Sequence, residues 1–318
     1  MPYPASDAWP ALPFEALGPT AETLQLWTQV VGKVRLARTP WVNHSWHVTL
    51  CVSARGLTTS LIPNGAGGLE LAFDFVSHAL WVRTTEGGKR RIALRSGDVA
   101  SFYREVLDAL AALGAPTEIV AWPNEMPTAT PFADDHAPRV YDPAIANAFW
   151  RALVQAHRVF YRFRSCFIGK ASPVHLFWGA ADLAVTRFSG RRAPLHPGGF
   201  PHLPDAVTRE AYSHEVSSAG FWPGDARLGG PAFYSYAYPT PPGFADAKVA
   251  PAAARFDSTL GEFILPYEAV RTAPDPDAVL IAFLQGTYEV AADLAHWDRA
   301  ALECGEGRLG VPRPVEAP

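Results

Sequence analysis

The period of the apolar positions changes several times along the chain, and each change predicts an element. In "AETLQLWTQVVGKVRLAR" the residues Leu24, Trp27, Val30, Val31 and Val34 recur at spacings of three and four, the pattern of an amphipathic helix. Thr20 is placed to cap it, without a full capping box because Thr23 stands where a Glu would be needed. "WHVTLCVSARGLTTSLI" then alternates with period two, which predicts strand, turn and strand. "LELAFDFVSHALWVRTTEGGKRRIAL" continues as two or three strands, with Gly87 and Gly88 at a hairpin. "SGDVASFYREVLDALAALG" closes the set as a helix capped near Ser96 or Asp98 and stopped at Gly114.

The second half repeats this order. "PAIANAFWRALVQAHRVFYRFRSCF" predicts a helix with Asp142 as cap and Pro143 in its first turn. "SPVHLFWGAADLAVTRFSG" reads as strand, turn, strand, and "PAFYSYAYP" and "LGEFILPYEAV" as later strands. "DPDAVLIAFLQGTYEVAADLAHW" is the closing helix, with Asp275 as cap and Pro276 at its first position. His47 and His175 are 128 positions apart, as are Thr58 and Thr186. Aligning Trp27 with Trp150 needs a shift of 123, and aligning Phe102 with Phe283 a shift of 181, so the second copy carries an insertion at about 190–231.

The expected architecture is therefore α+β: a duplicated helix–antiparallel sheet–helix unit in a pseudo-twofold arrangement. Its parts are an N-terminal extension (1–19), a first unit (20–120), a Pro-rich linker (121–141), a second unit (142–303) and a tail (304–318).

Composition narrows the function classes. Hydrophobic residues make up 48% of the chain and charged residues 18%, the balance of a folded protein. No apolar run reaches the roughly 18 residues of a membrane helix, and the first residues carry no secretion-signal pattern. A net charge of −4 argues against a nucleic-acid partner. Cys51, Cys166 and Cys304 form neither a disulfide framework nor a metal spacing, as befits a reducing cytoplasm.

The familiar catalytic motifs are missing: there is no GxGxxG after a strand, no GxxxxGK[ST], no HExxH and no GxSxG. What remains is a set of aromatic and histidine positions. In "WVNHSWHVTL" His44 and His47 are three apart and cannot share one face of a strand, so His44 is assigned to a turn. His175 is the counterpart of His47 in the second copy. The pair either converges on a pocket where the units meet or caps its own strands locally. His214 and Glu215 offer an acid–base pair in the insertion. Arg187, an odd residue for an apolar strand, is expected to hold an anion or to pair with Asp182. Trp178, Trp222 and Tyr236 would wall the pocket, with Tyr236 in the row Tyr234, Tyr236, Tyr238. A divalent metal on His47, His175 and His214 is the sharper variant.

The blocks "LWTQVVGKVRLA", "NHSWHVTLCVSARGLTTS", "SPVHLFWGAADLAVTRFSGRRAP", "EAYSHEVSSAGFWPG" and "PAFYSYAYP" together resemble a bacterial family of unknown function, domain of unknown function 5996. The resemblance runs from about Thr20 to about Arg299. It implies a bacterial protein and carries no assigned reaction, ligand or catalytic residue. The combined expectation is a cytoplasmic small-molecule enzyme or binder with catalytic His214 and Glu215. The alternative is a non-catalytic interaction module whose histidines are core hydrogen-bond donors.

Overall fold

The computed structural model describes residues 8–313, apart from Pro127. The first unit opens with α1 (Phe14–Arg38), followed by the strands β1 (Cys51–Ser53), β2 (Gly56–Thr58), β3 (Ile62–Asn64), β4 (Gly67–Asp74), β5 (Ala79–Thr84) and β6 (Lys89–Ala93), and closes with α2 (Val99–Ala112). The second runs through α3 (Pro143–Ser165), β7 (His175–Phe177), β8 (Asp182–Arg192), α4 (Asp205–Ala211), β9 (His214–Trp222), β10 (Ala232–Tyr238), β11 (Arg255–Asp257) and β12 (Glu262–Pro266). Three helices follow: α5 (Tyr267–Arg271), α6 (Pro276–Leu294) and α7 (Arg299–Leu302).

Each unit contains one antiparallel six-stranded sheet. The first has the order β1-β2-β4-β5-β6 with β3 also on β4, and the second β11-β12-β10-β9-β8-β7. This is the α+β fold expected, with the helix–sheet–helix order present twice. The sheets meet edge to edge at one residue pair, where Leu50 and Leu176 exchange both backbone hydrogen bonds at 2.9 and 2.7 Å. The long helices pack side by side in the order α2-α1-α3-α6, with α3 against β8 and α6 against β9 and β10. One continuous apolar core joins both units, including Val30, Val31, Phe73, Phe160, Phe221, Phe233 and Leu284.

Caps explain most helix starts. The carboxylates of Asp98, Asp142 and Asp275 accept N–H bonds from the first turns of α2, α3 and α6, and Pro143 and Pro276 follow two of them. For α1 the start differs: the helix begins at Phe14, and Thr20 lies inside it with its side chain buried. Two further segments differ from a plain reading of the spacing. The 190–231 stretch contains β9, a central strand of the second sheet. The 121–141 linker is anchored rather than loose, with Asn124, Phe132 and Asp135 buried. Among the described residues no helix is long and apolar enough to cross a membrane.

Candidate functional site

The second sheet has two different faces. Alternation and register put Leu183, Val185, Arg187, Phe221, Phe233, Phe263 and Leu265 on the face that α3 and α6 cover. Phe149 and Phe160 of α3 pack there on Phe221 and Phe233, ring centroids 6.1 and 6.2 Å apart. The opposite face carries Asp182, Ala184, Thr186, Ser218, Gly220, Trp222, Tyr234, Tyr236 and Glu262. Across it Thr186 pairs with Ser218 and Ser218 with Tyr236, while Ala184 pairs with Gly220 and Gly220 with Tyr234. The long helices α3 and α6 lie on the other face. Loop 193–204 and the linker around Asn124 form its rim: the Glu125 N–H donates to Pro201 O at 2.8 Å, and His196 stacks on Tyr212 with centroids 4.7 Å apart.

Tyrosines and carboxyls dominate this recess. Tyr234 Oη donates to Asp182 Oδ2, and the Tyr212 and Tyr236 hydroxyls bond each other at 2.7 Å. The Tyr234 and Tyr236 rings stack at 6.1 Å, and the Thr186 and Ser218 hydroxyls bond at 2.8 Å. Two glycines make the geometry possible. A Cβ on Gly220 would lie 2.3 Å from Tyr234 Oη, so only glycine lets that phenol cross the strand to Asp182. A Cβ on Gly179 would lie 1.9 Å from Glu125 Oε1.

Glu125 itself sits at φ 60°, a left-handed conformation that a non-glycine residue adopts only under constraint. The constraint comes from α1. The Gln29 side chain takes both backbone groups of Asn124, accepting its N–H at 2.7 Å and donating to its carbonyl at 3.0 Å. Lys33 Nζ donates to Asn124 Oδ1, and Asn124 Nδ2 donates to His202 O. Burial pushes the Lys33 amine down to about 8. The first unit therefore positions an acidic side chain over the sheet of the second.

The electrostatics of the recess follow from burial. Desolvation raises the carboxyls of Glu125 to about 7, Asp182 to about 6 and Glu262 to about 8. The Asp182 charge adds to the rise on both glutamates, and the Tyr234 hydrogen bond restrains that of Asp182 itself. Tyr236 is pushed up to about 12, and Tyr212 and Tyr234 well above the phenol range, again mainly by burial. Asp182 on β8 and Glu262 on β12, with β9 and β10 between them, thus both carry carboxyls raised toward neutrality, Asp182 the least and Glu262 the most. That combination can accept a proton at one group and donate one at another.

The residues singled out from the sequence have varied placements. Tyr236 lies in the recess, and the half-buried Trp222 shares its face. Arg187 points the other way: its guanidinium lies 3.5 Å from the Phe163 ring centroid and 4.3 Å from that of Tyr288. It donates to Phe163 O and to Gln285 Oε1, not to Asp182. Burial lowers it to about 10. Trp178 is buried against Gly32, with its indole donating to Val48 O at 2.8 Å. His214 and Glu215 are neighbours on β9 and face opposite ways. His214 bonds Ser213 Oγ at 3.1 Å, and Glu215 pairs with Arg191 at 2.7 Å.

His47 and His175 flank the seam between the sheets, each with its own local partner. His47 Nδ1 meets the Val42 backbone at 3.2 Å, and His175 Nδ1 meets Thr49 Oγ1 at 3.0 Å. Among the described residues both Nε2 atoms are buried without a hydrogen-bond partner. Burial pushes His175 down to about 3, so it is neutral at physiological pH. Among the described residues no three His, Cys, Asp or Glu side chains converge as a metal site, so His47, His175 and His214 are not gathered as a ligand set. Sequence reasoning left out Glu125, Glu262 and Tyr234 as site residues. The tyrosine row marked one strand of the recess, but the register joining it to Asp182 and Glu262 is non-local.

A family model described as a family of unknown function, DUF5996, matches residues 9–304. No curated protein and no solved structure matches the chain.

Proposed function

The chain belongs to the DUF5996 family, and from that premise we propose that it is a small-molecule enzyme or binder whose site is the tyrosine–carboxyl recess of the second sheet. The ligand is a polar molecule with hydrogen-bond donors, an amine above all, placed against the carboxyls with its apolar faces on the tyrosine rings. Asp182 acts as the base and Glu262 as the acid, with Glu125 closing the site from the linker. The observation that carries this reading is the burial of three carboxyls, Glu125, Asp182 and Glu262, at one tyrosine-rich face of the second sheet. The charges that raise Glu125 and Glu262 are carboxylate charges, and among the described residues no ion pair reaches any of the three. A bound cation would supply the missing counter-charge. For His47 and His175 the local bonding of Nδ1 favours a supporting role at the seam.

A thermal-shift screen of primary amines, polyols and small carboxylates tests this. A ligand that binds the native state raises Tm as its concentration passes its dissociation constant. Amines should raise Tm, and Glu262→Gln with Asp182→Asn should abolish the shift. Stabilisation by no amine, or a shift unchanged in the double variant, would remove the recess as the site.

A further inference from the structure

A second constellation lies at the far end of the same sheet, around the strained turn Asn43–Ser45, and does not depend on the reading above. His44 and Ser45 are both left-handed, at φ 59° and 57°, two consecutive non-glycine residues in a region that side chains rarely enter. The Glu210 carboxylate of α4 holds the turn, accepting the His44 N–H with its two oxygens at 2.8 and 3.0 Å. The turn presents the imidazole in one protonation pattern. Nδ1 lies 2.8 Å from Ala211 O, an acceptor only, so Nδ1 carries the proton and Nε2 offers its lone pair. That lone pair faces Lys170 Nζ at 2.6 Å. The amine lies against a T-shaped aromatic pair, 4.9 Å from the Phe188 centroid and 5.5 Å from that of Trp46.

From this geometry we infer that Lys170 is a reactive amine that forms an imine with an aldehyde, and that His44 shuttles the proton. Lys170 is an exposed residue, so its side chain meets solvent, and the half-buried Trp46 indole beside it offers apolar surface to an aromatic aldehyde, while Phe188 is buried beneath. The neutral amine adds its lone pair to the carbonyl carbon, a C–N bond forms, and the carbonyl π pair moves to oxygen. His44 Nε2 takes a proton from the nitrogen and returns it to the oxygen. The carbinolamine then loses water and leaves the C=N bond. The groups facing this amine are His44, Glu210, which favours the ammonium, and His214, whose ring lies 6.2 Å from that of His44. Burial lowers both Lys170 and His44 from their ordinary values, which enlarges the reactive neutral fractions.

The chain has four lysines, and the exposed Lys89 and Lys248 serve as references in one sample. Intact protein is treated with benzaldehyde and sodium cyanoborohydride at neutral pH, and the benzylated lysines are quantified by peptide mass spectrometry. Lys170 should be labelled at least about tenfold faster than Lys89 and Lys248. His44→Asn, which tolerates the left-handed backbone, should bring Lys170 down to their level. Even labelling of the three lysines in the natural protein, which needs no variant, overturns the inference. So does preferential Lys170 labelling that persists in folded His44→Asn.

Discussion

At the scale of single residues, the recess is a conflict between burial and charge, and pH reads it out. A carboxyl whose pKa is raised by folding binds its proton more tightly in the native state than in the unfolded chain. Its stabilising contribution is complete below the unfolded value, about 4.3 for Glu, and is lost as pH rises through the native value. For Glu262, Glu125 and Asp182 that loss spans the native values of about 8, 7 and 6. Stability measured by urea unfolding should therefore fall as pH rises from about 5 to about 9. Glu262→Gln keeps the shape and removes the titration, so its curve should be flatter on the alkaline side. An equal alkaline slope in both proteins would mean that Glu262 is not held protonated.

At the scale of elements, the strand β8 divides its side chains between two tasks. Asp182 and Thr186 face the recess, while Arg187 turns into the helix layer and donates to Phe163 O in the last turn of α3. That carbonyl also accepts the Cys166 N–H at 3.3 Å, so the guanidinium is its second donor, and its charge suits the negative end of the dipole. Arg187→Ala should cost about 3–5 kcal/mol by leaving a cavity among the aromatic rings and removing a charged hydrogen bond. Arg187→Met, which refills the aromatic slot, should cost at most about 2 kcal/mol. Equal losses would show that the hydrogen bond, not the packing, dominates.

The second element-scale test concerns α1. Gln29→Ala strips two partners from the Asn124 peptide and should destabilise by about 1–3 kcal/mol in chemical unfolding. Glu125→Gly should instead be neutral or stabilising by about 1 kcal/mol, because it relieves the left-handed backbone and removes a buried carboxyl. A clear loss of stability in Glu125→Gly would show that Glu125 holds the linker in place and is not a strained group kept for its chemistry.

These elements also show where legibility stops. The caps Asp98, Asp142 and Asp275, the duplicated order and the tyrosine row of β10 are local signals, and the structure contains all three. His44 in a turn was legible for the same reason, since a spacing of three cannot serve one face of a strand. Which face Arg187 takes was not legible, because period two gives the grouping of side chains but not the direction of the core. Glu125 gave no sequence signal, as it acquires its role from a helix almost a hundred residues earlier. The start of α1 was obscured by Pro19, which reads as a break and lies inside the helix.

At the scale of the whole molecule, the duplication produces two sheets joined at a narrow seam and a helix layer covering one side of them. The open side of the second sheet is then closed by parts that the duplication does not provide: the linker and the segment 193–211 with α4. Contacts from α1 reach across to Asn124, so the recess needs both units to be complete. The central claim is that three carboxyls of this recess titrate near neutrality. Carbon-13 NMR titration of the Asp and Glu side-chain carboxyls, assigned with Glu125→Gln, Asp182→Asn and Glu262→Gln, tests it most directly. The account predicts midpoints near 7, 6 and 8 for Glu125, Asp182 and Glu262. All three midpoints in the ordinary carboxylate range near 4 would contradict it.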